Sequence, residues 1–192
     1  MKDKVHLEWV NGKTKITISF SEQMLFIRLY CNYPSNKVIE LSISKCILDE
    51  YFRIINLVGN GFNSGVQCQG FGKLIFNIAI QAMRYHLEEI KGLPPASMSI
   101  RVTGETSSYN DPEDEPDKTN CWKRRNAFWQ SFGFVFDDPK SPRSHFRCEL
   151  DKLNYNNRGV TGNGTPTFID IHEFQVKDDK PTLSHPDNAS LS

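Results

Sequence analysis

Apolar and polar side chains alternate through most of the first third of the chain, and this two-residue period predicts β-strands. Three short runs, residues 5–10, 14–20 and 24–31, are rich in β-branched and aromatic residues. Turn-forming residues separate the runs, and the Asn11-Gly12 pair between the first two is typical of a tight hairpin turn. The pattern therefore predicts three successive strands in this part of the chain.

The next region also has a strand-like pattern. Residues 38–44 alternate cleanly between apolar and polar side chains, and residues 51–58 come after a short acidic turn. We predict that these two segments pair as another hairpin. A helix over residues 48–57 is the alternative for the second segment.

After Gly70 the pattern changes to a helical period of three to four residues. The apolar positions on one side of this segment are Phe71, Leu74, Ile75, Ile78, Ala79, Ala82, Met83 and Ile90. Polar residues occupy the other side, and Gly92 followed by Pro94 ends the pattern. We predict the longest helix of the chain here.

The second half of the chain contains shorter elements. We predict a strand over residues 98–103, a short aromatic helix over 126–132, and strands over 134–136, 145–151 and 167–176. Residues 1–176 then form one α/β (α+β) domain, a mixed, mostly antiparallel sheet flanked by helices, with an unusually strand-rich N-terminal part. We expect residues 177–192, which are polar and contain proline, to be a disordered tail.

The turn before the long helix has the sequence Gln-Cys-Gln-Gly-Phe-Gly-Lys over residues 67–73. The first amides of a helix have no acceptor within the helix, and the helix dipole adds partial positive charge at that end. Glycine lets a ligand approach the backbone, so this turn is a candidate site for phosphate oxygens. Spacing excludes two nucleotide motifs, because a dinucleotide fingerprint needs glycine in place of Ile75 and a P-loop needs Ser or Thr in place of Leu74. A tight turn without a ligand is the alternative.

A second motif, Ala-x-Trp-x-x-x-Gly-Phe, occupies residues 127–134, at the end of the aromatic helix. Together with Gln-x-x-Gly-x-Gly over residues 67–72, it resembles the acetyl-CoA-binding core of the GNAT N-acetyltransferases, over residues 37–151 of this chain. In that family the first motif binds the pyrophosphate of coenzyme A, and the second helix flanks the pantetheine arm and the thioester. The resemblance implies a GNAT-like fold and direct transfer of an acetyl group from acetyl-CoA to an amine.

The resemblance also implies cofactor contacts in both motifs. The expected contacts are Gln67, Cys68, Gln69, Gly70, Phe71, Gly72 and Lys73, chiefly through their amides, with Asn126 and Trp129 beside the pantetheine arm. Asn120 is the alternative to Asn126, because the family asparagine generally lies nearer to the helix start. Acetyl-CoA is then the cosubstrate, and the acceptor is an amine-bearing small molecule or a protein.

The groups that move protons depart from the family pattern. Many family members have a tyrosine as the acid for the departing thiolate where this chain has Trp129, and an indole N–H is no useful acid. Tyr109 is the candidate substitute, with Tyr85 or water as alternatives. Glu105 and Glu40 are the candidate bases that keep the amine neutral, and each needs burial to raise its pKa toward neutrality.

The segments that bind the amine acceptor in the family also differ in this chain. In the family a strand before the pyrophosphate turn splays from its neighbour, and one of its amides polarises the thioester carbonyl; residues 57–59 correspond to that segment here. The family usually places two helices between its first two strands, whereas this chain has strand patterns there. The alternative function is therefore a catalytically inactive GNAT-like protein-interaction module, with or without bound coenzyme A.

Composition narrows the expected partners. Lys plus Arg and Asp plus Glu both number 23, so neither nucleic acid nor an anionic membrane surface is an expected partner. No apolar run reaches the ~18 residues that span a bilayer, and the first residues lack the apolar core of a signal peptide, so we expect a cytoplasmic protein. The five cysteines and five histidines have no metal-ligand spacing, which predicts that the chain has no metal site.

Overall fold

The computed structural model describes residues 5–32, 35–46, 51–58, 69–93, 99–106 and 116–177. The strands formed by these residues are β1 (Val5–Asn11), β2 (Thr14–Phe20), β3 (Met24–Asn32), β4 (Ser35–Cys46), β5 (Tyr51–Val58), β6 (Arg101–Glu105), β7 (Val135–Phe136), β8 (His145–Glu149) and β9 (Gln175–Lys177). The α-helices are α1 (Phe71–Tyr85), which continues as a π-helical turn over His86–Ile90, and α2 (Asp117–Gln130).

The strands form one mixed sheet in the order β7-β8-β6-β5-β4-β3-β2-β1-β9. Strands β1 to β5 pair with their sequence neighbours as an antiparallel meander. Strands β5 and β6 are parallel, and α1 lies in the crossover that a parallel pair requires. Strand β8 lies between β6 and β7 and is antiparallel to both. The predicted mixed, mostly antiparallel sheet with helices is thus confirmed.

The strand predictions for the first part of the chain are also confirmed. In β2, for example, Ile16 and Ile18 are fully buried, while Thr17 between them is only half-buried. The alternative helix over residues 48–57 is wrong, because its described residues 51–57 belong to β5. Phe52 is buried and its neighbour Arg53 is exposed, which is the two-residue period of a strand.

Two predictions for the second half are corrected by the structure. Helix α1 begins at Phe71 as predicted, but α2 begins at Asp117, well before residue 126, because its first part is polar and mostly exposed and so has no apolar period. The predicted strand over 167–176 is wrong, since only β9 at its end is a strand. Residues Ile171–Glu173 form a 3-10 turn, and the backbone before it bonds to side chains of α1 in place of a neighbouring strand.

The end of the sheet reaches slightly beyond the predicted domain boundary. Lys177, the first residue of the predicted tail 177–192, lies in β9 and pairs with His6 of β1. Residues 178–192 lie outside the described part of the chain. Neither α1 nor α2 has the length and apolar character needed to span a membrane.

Both α-helices pack against the same face of the sheet, which we call the helix face. From the end of α1, the Tyr85 ring lies 5.9 Å from that of Phe20 in β2. From α2, the Trp129 ring stacks on Phe146 of β8, with centroids 4.8 Å apart. Side chains of opposite parity along the strands point to the other face, which we call the open face.

Candidate functional site

The first candidate site lies where β5 and β6 part. These parallel strands pair only between residues 51–53 and residues 101–103. Beyond Arg53, β5 remains paired with β4 alone among the described strands. The β4–β5 register shifts there, since Ser42 pairs with Asn56 and the next residue, Ile43, pairs with Ile54. Ile55 is thus an extra residue in β5, and such a bulge turns the strand locally.

The start of α1 offers backbone donors near this region. Gly70 has φ +80°, and its carbonyl accepts the first intrahelical hydrogen bond, from the Leu74 amide at 3.1 Å. The amides of Phe71, Gly72 and Lys73 precede that bond, and no described residue accepts from them. Phe71 and Gly72 are buried. Amides without an acceptor in the helix can donate to an oxygen-bearing ligand, and the burial of Phe71 and Gly72 leaves Lys73 as the most accessible of the three residues.

The residues just before the helix have structural partners instead. The Gln69 carbonyl accepts a hydrogen bond from the Gly162 amide at 2.8 Å. A Cβ atom on Gly70 would lie 3.1 Å from the Val160 carbonyl oxygen and 3.3 Å from the Thr161 Cα atom. The positive φ and this close packing explain why glycine occupies position 70, without reference to a ligand. Gln67 and Cys68 of the same motif lie outside the described residues.

Asn126 and Trp129, the predicted pantetheine contacts, both have structural roles. The buried Asn126 side chain donates from Nδ2 to the carbonyl oxygens of Pro139 and Ser141, at 3.3 and 3.2 Å, and so holds the loop before β8. Trp129 lies in the core on the helix face, with its ring 5.0 Å from that of Phe76 in α1. The alternative residue, Asn120, is exposed on α2. Their contact with a cofactor stays a prediction.

The two candidate bases lie on different strands and each has an arginine partner. Glu105, at the end of β6, forms an ion pair with Arg143, and this pairing lowers the pKa of Glu105 below its usual value. Glu40, in β4, pairs with Arg28 of β3 at 2.7 Å. A carboxylate with a lowered pKa is a weaker base, so the ion pair of Glu105 does not favour its predicted role. That role and the role of Glu40 stay predictions.

The candidate acid that the structure describes, Tyr85, is not brought to the parting of β5 and β6. Tyr109 lies outside the described residues. Tyr85 is at the far end of α1, where its ring packs beside Phe20. Trp129, at the position where the sequence resemblance leads one to expect a tyrosine, is 6% exposed and surrounded by aromatic rings. The described residues therefore do not supply an evident acid for a leaving thiolate.

A second candidate site is a groove on the open face, which the sequence analysis missed. Its volume is about 410 Å³, and its lining residues are Tyr51, Arg53, Arg101, Thr103, Gly104, Asp137, His145, Phe146 and Arg147. Three arginines from three neighbouring strands meet there. In the sequence each of these arginines lies between two apolar strand residues, which signals an outward side chain, but only the strand order brings them together.

A half-buried lysine and a buried histidine form a polar pair on the helix face, away from both sites. Lys45 of β4 donates a hydrogen bond to the Ser21 carbonyl and approaches His86 Nε2 at 3.0 Å. Burial lowers the pKa of Lys45 to about 8 and that of His86 to about 4, and Lys91 and the charge of Lys45 contribute to the effect on His86. Within the described residues His86 Nδ1 is buried without a hydrogen-bond partner. The pair bears on the stability of the fold at acid pH.

Comparison of this chain with protein-family models, curated proteins and solved structures finds no match. Among the residues that the structure describes, no group of three or more His, Cys, Asp or Glu side chains is arranged to hold a metal ion.

Proposed function

We propose that this chain binds acetyl-CoA at the start of α1 and transfers the acetyl group to an amine. The observation that carries the proposal is the set of three amides, those of Phe71, Gly72 and Lys73, which have no acceptor among the described residues. Hydrogen bonds from such amides, together with the helix dipole, favour a diphosphate. Because Gln69 and Gly70 pack against residues 159–167, we assign the diphosphate to these three amides and not to the preceding turn.

The arrangement of the neighbouring elements supports the same proposal. Strand β5 leads into the motif and separates from β6 after three paired residues, as the strand before the pyrophosphate turn does in the family that the sequence resembles. Along the chain, α1 follows the first motif, β6 comes next, and α2 contains the second motif, which is the order that the resemblance implies. In sheets with parallel crossovers, ligands bind beyond the carboxyl ends of the strands, and α1 follows that end of β5.

In the proposed reaction the amine nitrogen attacks the thioester carbonyl carbon, and the carbon–sulfur bond breaks. The coenzyme A thiolate leaves, and the nitrogen loses a proton. A backbone amide of residues 57–59 would polarise the carbonyl oxygen. The proton passes through water to the leaving thiolate, because the lowered pKa of Glu105 makes this carboxylate a weak base for the amine.

A catalytically inactive interaction module is the second candidate function. Trp129 is in the core where many family members have a catalytic tyrosine, and its indole cannot protonate a thiolate. In addition, residues 5–32 form the strands β1 to β3, so the described part of this region contributes no helix to an acceptor pocket. Both observations favour binding without turnover.

Replacing Lys73 by Asp tests the cofactor site. An aspartate in the first turn stabilises the helix start through the dipole but repels a diphosphate. We expect calorimetric titration to show acetyl-CoA binding to the wild type and binding that is about tenfold weaker or more in Lys73→Asp, a change of about 1.4 kcal/mol. Lys91→Asp, which makes the same charge change just after the π-helical turn at the other end, is the control and should bind normally.

Two further results decide between the functions. If the wild type does not bind acetyl-CoA, or if Lys73→Asp and Lys91→Asp weaken binding equally, the proposed site is wrong. If the wild type binds, thiol release is then followed with a panel of amines. Turnover supports the transferase, whereas binding without thiol release supports the inactive module.

A further inference from the structure

The groove on the open face is built by the register of three strands. Arg53 of β5 lies beside Thr103 of β6, and Thr103 lies opposite Arg147 of β8. Arg101 precedes Thr103 by two residues and so points to the same face. The side chain of Thr103 is short. The three long side chains of Arg53, Arg101 and Arg147 therefore surround a depression in the sheet surface above Thr103.

The spacing of these arginines suits a single small anion. Neighbouring strands are about 4.8 Å apart, so the backbones that carry Arg53 and Arg147 are separated by about 10 Å. Two arginine side chains can reach toward each other over that distance. The groove, at about 410 Å³, is also within the size range of small-molecule sites.

The described carboxylates around the groove leave part of this positive charge without an ion pair. Asp137 contacts Arg147 at 3.3 Å, and both side chains are largely exposed, so the ion pair is weak and can rearrange around a ligand. Glu105 is paired with Arg143, and Glu149 with Lys152. Among the described residues, no carboxylate is in ion-pair contact with Arg53 or Arg101, although the charge of Arg53 contributes to the lowered pKa of Glu105. His145 adds a further potential donor to the lining.

We propose that this groove binds the phosphate group of a small phosphomonoester. Arginine forks bind oxyanions through paired, charge-assisted hydrogen bonds. A terminal phosphate has three outer oxygens and up to two negative charges, so it can accept from guanidinium groups on three strands, whereas a carboxylate has two oxygens in one plane. The Thr103 hydroxyl lies below the same position as a neutral donor. The remaining volume accommodates the organic part of the ligand.

This site is independent of the proposed acetyl-CoA site. The groove is on the open face of the sheet, whereas α1 packs on the helix face. Its arginines also take no part in the amide cluster at the start of α1. Loss of one site can thus be separated from loss of the other by experiment.

The test measures binding of phenyl phosphate to the full chain at low salt, by calorimetry and by chemical-shift changes in amide NMR spectra. We expect saturable binding with shifts centred on β6 and β8. Arg53→Gln and Arg101→Gln should each weaken it roughly tenfold or more, because each removes charge-assisted hydrogen bonds. Arg28→Gln is the matched control, since Arg28 points to the same face from β3 but pairs with Glu40. It should bind phenyl phosphate like the wild type.

Several results would overturn the proposal. One is the absence of saturable binding to the wild type. Another is equal weakening in Arg28→Gln, which would indicate a diffuse effect of surface charge. A third is binding of benzoate as tight as that of phenyl phosphate, which would show that the site does not prefer phosphate. Lys73→Asp should keep its phenyl phosphate affinity, and loss of that affinity would show that the two ligands share the start of α1.

Discussion

Gly104 shows how one residue without a side chain allows the core to close. A Cβ atom at this position would lie 2.4 Å from Cζ and 2.7 Å from Cε2 of the Phe146 ring. Phe146 is 2% exposed and stacks on Trp129, so its ring has little space to move. We expect Gly104→Ala to lower the free energy of unfolding by about 2 kcal/mol through overpacking. Urea denaturation of the two proteins measures the difference.

The direction of this effect is diagnostic, because replacing glycine by alanine usually stabilises a protein where the new methyl group fits. Phe146→Leu provides the control background, since leucine has no atoms at the ring positions that clash. In that background the loss caused by Gly104→Ala should fall by half or more. An equal loss in both backgrounds would show that the ring is not the cause.

Helix α1 fixes the C-terminal segment through two buried amide side chains one turn apart. Asn77 donates to the Thr167 carbonyl at 2.6 Å and accepts from the Asn156 amide at 2.9 Å. Gln81 donates to the Ile169 carbonyl at 2.8 Å and accepts from the Ile171 amide at 2.9 Å. The segment is thus held by α1 side chains, which do for its backbone what a neighbouring strand would do.

Removal of the Gln81 amide should loosen this segment selectively. In Gln81→Leu the backbone groups of Ile169 and Ile171 lose their partners in a buried site, and we expect a loss of about 2 kcal/mol. Hydrogen exchange should show faster exchange of the Ile171 amide, with β2 and β3 affected much less. Gln130→Leu, at an exposed position of α2, is the control. Equal acceleration across the whole sheet would contradict a local anchor.

This anchoring also explains which elements the sequence could predict. Strands such as β2 and the helix α1 have a regular apolar period, which is a local property, and their prediction is confirmed. The segment that contains residues 167–174 takes its shape from Asn77 and Gln81, far away in the chain, so its local pattern predicts a strand that the structure does not form. The groove arginines are a similar case. The alternation along each strand determines that their side chains point outward. Only the order of the strands in the sheet brings the three side chains together.

The molecule as a whole is organised around the one parallel pair among its described strands. Strands β1 to β5 run as an antiparallel meander, and the only parallel pair among the described strands is β5 with β6. Both candidate sites lie at this pair, one on each face. The helix face supplies backbone amides at the start of α1, and the open face supplies arginines.

Because the charges of the chain balance, its stability at acid pH depends on individual titrating groups. Positive and negative residues balance at 23 each, so general repulsion is small near neutral pH. His86 is then a principal acid-sensitive group. It is 4% exposed, and its pKa is lowered from 6.5 to about 4 by burial and by the charges of Lys45 and Lys91. The unfolded chain therefore binds a proton at this residue more readily than the folded chain does.

A group whose pKa is lower in the folded state makes its full contribution to stability at pH values above its pKa in the unfolded state. This contribution is lost as the pH falls toward its pKa in the folded state. For His86 this window runs from about 6.5 down to about 4. Between pH 7 and pH 5 the contribution to the free energy of unfolding falls by about 2 kcal/mol. Urea denaturation at the two pH values should show this loss in the wild type. His86→Gln keeps an acceptor for Lys45 but cannot titrate, so its loss over the same interval should be smaller by about that amount. Identical losses in the two proteins would mean that the carboxylates, and not His86, set the acid limit of the fold.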